Sequence, residues 1–341
     1  MLGAVYRLVA PRQIEIGFVS NERDDAHVIV RPTYLSICNA DQRYYQGKRA
    51  PEILEKKLPM ALIHEAIGKV VYDPTGTFSV GQRVVMIPNT PTEEDAIIAE
   101  NYLRSSKFRA SGFDGFMQEL VSMTPDRLVA LPDSVPDAIA SFTEIVSVSR
   151  HAISRFDRIA HGRREKVGIW GDGNLAFITA VLFHSLFPEV ELYIFGIDAQ
   201  KLSGFTFAAE THHVNHIPAD LRIDHAFECV GGNGSPMAIE QIIDHIHPEG
   251  TISILGVSEN PVPVNTRMIL EKGLRMFGSS RSGRADFQNT IDLYDKDPEA
   301  VGFMKNLVGE QITVRTIKDM HEAFEADIRK SFGKTIMKWE I

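Results

Sequence analysis

The hexapeptide Gly171-Asp172-Gly173-Asn174-Leu175-Ala176 constrains this chain more than any other segment. It follows an apolar run at 166–170 and opens a stretch of helical patterning at 174–187. In the pattern G-x-G-x-x-A the first glycine permits a tight turn and the second lets the backbone approach a pyrophosphate. The small last residue lets a helix pack closely on a strand. The dipole and free N–H groups at the start of that helix favour a bound anion. In a strand–turn–helix setting this reads as a dinucleotide site. Apolar strands at 191–195, 225–230, 251–255 and 274–277, with helical stretches such as 235–246 between them, extend the alternation. They predict a parallel, doubly wound sheet.

The 341 residues allow two domains. Up to about Val146 the style differs: short strands at 28–32, 68–71 and 81–86 are broken by Gly and Pro, as in a small β-barrel-like domain. After the cofactor segment the chain shows a polar helix at 320–329 and a strand at 335–339. This tail is expected to fold back onto the first domain. The predicted organisation is a catalytic domain at 1–147, a cofactor domain inserted at 148–284, and a return segment at 285–341.

The end of the second strand of the cofactor domain bears on NAD against NADP. An acidic residue there would hydrogen-bond the ribose 2′-OH. The strand ends in Gly196, and Lys201 follows shortly after, which suits a 2′-phosphate. Asp198 is the complication, as a displaced ribose ligand.

In the first domain, Cys38 follows an apolar strand, His64-Glu65 follows Leu62-Ile63, and Glu144 lies among apolar neighbours. A thiolate, an imidazole and two carboxylates suit a catalytic Zn²⁺ that keeps one position for water or substrate. Zinc would keep Cys38 deprotonated and polarise a carbonyl. Each residue taken alone is more often a core thiol, a satisfied histidine or a surface acid. Their conjunction with a dinucleotide motif is what carries the reading.

Composition excludes other classes. Two cysteines, Cys38 and Cys229, imply no disulfide framework and cannot form a four-cysteine zinc site. A net charge of −9 without a basic block argues against nucleic acid. No apolar run reaches the roughly 20 residues of a membrane helix, and the first residues look like a strand rather than a signal peptide. A cytoplasmic protein is expected.

Over essentially its whole length the chain resembles the medium-chain, zinc-containing alcohol and polyol dehydrogenases. The carriers are Cys38-x-x-Asp41 with Tyr44-Tyr45-x-Gly47, His64-Glu65, Gly81-Gln82-Arg83-Val84, the turn at 112–115, Glu144 before Val148-Ser149-Arg150-His151-Ala152, and the stretch 171–176. The resemblance implies an α/β fold with a GroES-like β-barrel catalytic domain and a Rossmann cofactor domain. It implies zinc ligands at Cys38, His64 and Glu144, an exchangeable or neighbouring Glu65, and an Asp41 that orients His64. Gly171, Gly173, Asn174, Leu175, Gly196, Lys201 and Val230 are the cofactor candidates. Two departures stand out. The family's structural-zinc lobe would fall at 89–109, which has no cysteine. Ala40 replaces the hydroxyl residue that relays the proton in many members, leaving water, Glu65 or a tyrosine for that task.

Within the family, segments at 36–45, 88–93, 168–175, 227–232 and 278–283 look like the ribulose-5-phosphate reductases of bacterial teichoic acid synthesis. That likeness implies NADPH-driven reduction of ribulose 5-phosphate to ribitol 5-phosphate at a single zinc, with hydride delivered in the cleft between domains. It also implies a homodimer that acts beside a cytidylyltransferase making CDP-ribitol. Arg43, Arg281 and Arg284 are the candidates for the substrate phosphate, as bidentate donors. The competing readings are an NAD-linked polyol dehydrogenase of unphosphorylated sugar alcohols and a metal-free dinucleotide-binding redox sensor.

Overall fold

Parallel pairing dominates the middle of the chain. In the computed structural model, which describes residues 1–21 and 24–341, six strands form one parallel sheet. Its spatial order is Glu210–His213, Glu191–Gly196, Lys166–Trp170, Ile223–Glu228, Ile246–Ile254, Arg275–Gly278. Numbered along the chain this is 3-2-1-4-5-6, the doubly wound order whose switch point lies at the first strand. The buried strands are apolar because helices cover both faces. The helix Asn174–Leu186 buries Ala176 through Phe183, and Trp170 stacks on Phe195 at 3.8 Å between ring centroids. The edge strand Glu210–His213 (Glu-Thr-His-His) was not legible in the sequence. It pairs on one side only and carries no apolar alternation.

The chain divides into two compact units, Met1–Ser147 with Ser282–Ile341, and Val148–Arg281. In the first unit the path Leu128–Ala130, Arg83–Met86, Glu65–Tyr72, Val28–Ser36, Lys334–Trp339, Val308–Val314 forms the main sheet. A smaller sheet joins Gln13–Ser20, Leu2–Ala10 and Met60–Ala61. The C-terminal strand lies antiparallel to Val28–Ser36, with Ile336 opposite Ser36. Trp339 anchors it, donating to the Gln118 carbonyl at 2.9 Å and meeting Tyr6 edge-on. The return begins three residues before the expected position 285. Ser282 Oγ hydrogen-bonds Ser147 Oγ at 2.7 Å, and the Arg284 N–H donates to Glu100 Oε1 at 2.6 Å.

The cysteine-free lobe at 89–109 is organised around Glu100. Its carbonyl accepts from Asn89 Nδ2 and Ser106 Oγ, and its carboxylate takes both Nη atoms of the buried Arg127. A polar network therefore fastens this lobe.

His225 ties the parallel sheet to pH. It is fully buried; its Nδ1 accepts from the Thr251 N–H at 3.1 Å and its Nε2 faces the His161 carbonyl at 3.3 Å. This pairing defines a neutral ring, and burial, reinforced by His161, pushes its pKa down to about 4. A depressed base contributes stability that is present above its unfolded pKa of about 6.5 and lost as pH falls toward the folded value. Between pH 7.5 and 4.5 we expect the wild type to lose about 2–3 kcal/mol more than His225→Gln, read from denaturant midpoints. Identical pH slopes in the two proteins would show that His225 does not titrate on unfolding.

Candidate active site

Cys38 stands just beyond the strand Val28–Ser36 and caps the helix Asn39–Tyr45. Asp41, three residues on, is the organiser. One carboxylate oxygen accepts the Cys38 N–H at 3.1 Å and the other accepts the Ile63 N–H at 2.9 Å. Two segments more than twenty residues apart are thus held by one buried side chain. Ile63 adopts φ +69°, a costly conformation for a β-branched residue. Gly115 packs against that turn so closely that a Cβ there would lie 2.4 Å from the Leu62 and Ile63 carbonyl oxygens. The strained turn aims His64 at Cys38, and His64 Nδ1 lies 3.6 Å from Asp41 Oδ1. Glu65 opens the next strand. Donor atoms of Cys38, His64 and Glu65 all lie within 4.8 Å of one another.

The electrostatics suit a cation. Burial alone would lower the His64 pKa, but Asp41 and Cys38 outweigh it and hold it well above the usual value. Burial pushes the Glu144 carboxyl up to about 7; His64 and Lys334 oppose the rise, while Glu65 and Asp41 add to it. Among the described residues Glu65 Oε2 is buried with no hydrogen-bond partner. A soft thiolate, an imidazole and buried carboxylates are a zinc donor set, and the orphaned oxygen is what a metal would satisfy.

Lys334 escaped the sequence reading. It is 2% exposed, and its ammonium donates to Glu65 Oε1 at 2.8 Å. Burial works against its charge, but Glu65, Cys38 and Asp327 hold its pKa above the ordinary value. Its only sequence signal is a lysine opening a largely apolar strand, and its partner lies 269 residues away.

Of the other candidates, Glu144 is buried and feels the same charges but stands outside the 4.8 Å cluster. Arg43 sits in the last turn of the helix that Cys38 caps. The Arg284 guanidinium reaches the Leu128 carbonyl at 3.5 Å, and Arg281 belongs to the other unit. Tyr45, a possible proton relay, is committed elsewhere. It stacks on Phe324, hydrogen-bonds His321 Nδ1 at 2.9 Å, and has a pKa pushed up to about 12, chiefly by burial.

In the second unit, Gly171 has φ +128° and a Cβ on it would sit 3.1 Å from the Cys229 carbonyl oxygen, so only glycine fits. At Gly173 nothing lies within 4 Å of such an atom, which leaves the helix N-terminus open to a ligand together with Asn174 and Leu175. A Cβ on Gly196 would fall 2.7 Å from Asp172. Asp172 Oδ2 accepts the N–H groups of Ile197 and Asp198, fixing the loop after this strand. Asp198 is itself occupied as the cap of the short helix that carries Lys201. Glu228 orders the loop holding Val230 by accepting from Val230, Gly231 and Gly256 N–H groups.

A paired-sheet architecture with this donor set and this glycine turn defines a zinc-binding dehydrogenase. The family profile of the alcohol dehydrogenase GroES-like domain matches residues 24–133, and that of the zinc-binding dehydrogenases matches 200–296. Ribulose-5-phosphate reductase of Bacillus spizizenii is 55% identical over 341 residues, covering all of both chains. Ribulose-5-phosphate reductase 2 of Staphylococcus aureus is likewise 55% identical over the full length of both. The crystal structure of S. aureus TarJ in complex with NADPH is similar with a TM-score of 0.90 and 49% identity, again over 100% of each chain. The chain belongs to the zinc-binding alcohol dehydrogenase family.

Breaking the Lys334–Glu65 pair leaves an uncompensated buried carboxylate, at a cost of about 3 kcal/mol. Lys334→Met should therefore lower the unfolding free energy of the metal-free protein, measured by denaturant titration, by that amount. Stability within about 0.5 kcal/mol of wild type would show that Glu65 is compensated by other means.

Proposed function

We propose that this chain reduces D-ribulose 5-phosphate to D-ribitol 5-phosphate with NADPH, at one catalytic zinc. The observation that carries the reading is the convergence of Cys38, His64 and Glu65 in a chain 55% identical, end to end, to ribulose-5-phosphate reductases. When bound, zinc supplies Lewis acidity toward the ketone and NADPH supplies the hydride. Cys38 and His64, with Glu65 and Glu144 as carboxylate donors, would hold the metal.

The chain's own residues do the rest. Asp41 keeps Cys38 and His64 in register through the Cys38 and Ile63 N–H groups, and its carboxylate faces the His64 ring. Lys334 restrains one oxygen of Glu65 and leaves the other available, which suits an exchangeable ligand. Gly171, Gly173 and the helix at Asn174 receive the pyrophosphate. Asp172 shapes the loop that presents Lys201 to a 2′-phosphate, beside Gly196 at the end of the strand, which suits NADPH. Ala40 has no hydroxyl and Tyr45 is engaged, so the proton that completes the alcohol travels by water or Glu65.

The product fits CDP-ribitol formation for poly(ribitol phosphate) teichoic acid. The same likeness supports a homodimer, a cytidylyltransferase partner and a cytoplasmic location. No helix of the described residues is long and apolar enough to cross a membrane.

The decisive assay is turnover of ribulose 5-phosphate and of unphosphorylated ribulose, each with NADPH and NADH. We expect the phosphorylated sugar with NADPH to give the highest kcat/KM, about one zinc per chain, and loss of turnover in a still-folded, NADPH-binding Cys38→Ala. Equal efficiency on both sugars would favour a plain polyol dehydrogenase. Full activity of metal-stripped protein would remove zinc from the reaction.

A further inference from the structure

The end of the second cofactor strand holds more negative charge than one lysine offsets. The Asp172 carboxylate lies against Gly196 and accepts the Ile197 and Asp198 N–H groups, and the Lys201 ammonium stands 3.9 Å from Asp198 Oδ2. A phosphomonoester brings roughly two more negative charges at neutral pH. Holding one here calls for further N–H donors.

The neighbouring edge strand supplies them. Glu210–His213 runs parallel to Glu191–Gly196, with His212 opposite Phe195 and His213 opposite Gly196. Paired residues share a face of the sheet, and successive residues alternate. His212 stacks on Phe195 at 5.6 Å between ring centroids, on the face of Trp170. His213 therefore points to the other face. Asp172 lies on that face, where a Cβ on Gly196 would meet it. The helix Ala199–Leu202, which carries Lys201, packs against the same edge strand. His213 is half-buried, and its Nδ1 accepts the Asn215 N–H at 3.1 Å, which places the proton of the neutral ring on Nε2. The His216 N–H donates to the His213 carbonyl at 2.8 Å, and this turn sets the two rings 5.6 Å apart. His216 is exposed. Among the described residues, His213 Nε2 and both ring nitrogens of His216 have no hydrogen-bond partner. All of these residues belong to one compact unit.

We infer that His213 and His216, together with Lys201, form the subsite for the cofactor's 2′-phosphate. A doubly wound sheet binds its dinucleotide at the carboxyl ends of the strands, with the ribose at the end of the second. His213 closes the strand beside it, so its Nε2–H flanks the ribose position from the side opposite the glycine turn. Imidazole N–H donors to a phosphate form charge-assisted bonds, which are stronger than neutral ones. The assignment rests on the reading of Lys201 as a 2′-phosphate ligand and adds two groups from a different segment of the chain.

The test is calorimetric binding to the full-length, zinc-loaded enzyme. The ligands are NADPH, NADH, adenosine 2′,5′-bisphosphate and AMP; the last two carry the 2′-phosphate contrast without the nicotinamide. The variants are His213→Gln, His216→Gln, His216→Arg and Lys201→Gln. Each histidine-to-glutamine variant should weaken NADPH and the bisphosphate by about 10-fold. Affinity for NADH and AMP, and zinc content, should stay at wild-type values. His216→Arg should hold the bisphosphate at least as tightly as wild type. Wild-type affinity for NADPH and the bisphosphate in both Gln variants would overturn the subsite, as would equal losses on NADPH and NADH. The Lys201 reading is decided separately. Loss of the 2′-phosphate preference in Lys201→Gln alone would keep Lys201 and remove the histidines. Loss in the histidine variants alone would support the histidines and remove Lys201. A wild type that binds the bisphosphate no better than AMP would overturn both.

Discussion

Buried negative charge is the constraint on which the catalytic unit depends. Cys38, Asp41, Glu65 and Glu144 converge in an interior where the cationic partners are His64 and Lys334. An unpaired ion taken out of water costs several kcal/mol, and a lone partner rarely repays it. The arrangement becomes affordable once a divalent cation offsets the excess. The raised carboxyl of Glu144 and the buried, unpartnered oxygen of Glu65 suit such a charge. Binding the metal displaces protons from its ligands, so affinity for it falls as the medium becomes more acidic.

Carboxylates serve a second purpose in this acidic chain. Asp41, Glu100, Asp172 and Glu228 each accept backbone N–H groups and thereby fix a loop: the zinc-donor turns, the cysteine-free lobe, the end of the second cofactor strand, and the loop holding Val230. Charge-assisted bonds to backbone are stronger than neutral ones. They position functional loops without help from regular secondary structure. Substitution of any of them acts through geometry rather than through a lost ligand contact.

Legibility in the sequence followed the range of the signal. The glycine turn at 171–176 and the strands beside it were readable because strand, turn and helix N-terminus are local. Cys38, His64 and Glu65 were readable as chemistry, and Asp41 only through the family resemblance. Lys334 was not, because nothing near Gly333 or Thr335 announces a partner at Glu65. The helix Asn39–Tyr45 was hidden by its brevity.

The central claim is that this charge cluster is a single metal site with a thiolate ligand. Titration of the metal-free protein with cobalt(II), followed by the thiolate-to-cobalt charge-transfer absorption, tests it directly. The account predicts a band that saturates at one equivalent per chain and vanishes in Cys38→Ser. A protein that shows no band, or a band that persists without Cys38, would contradict it.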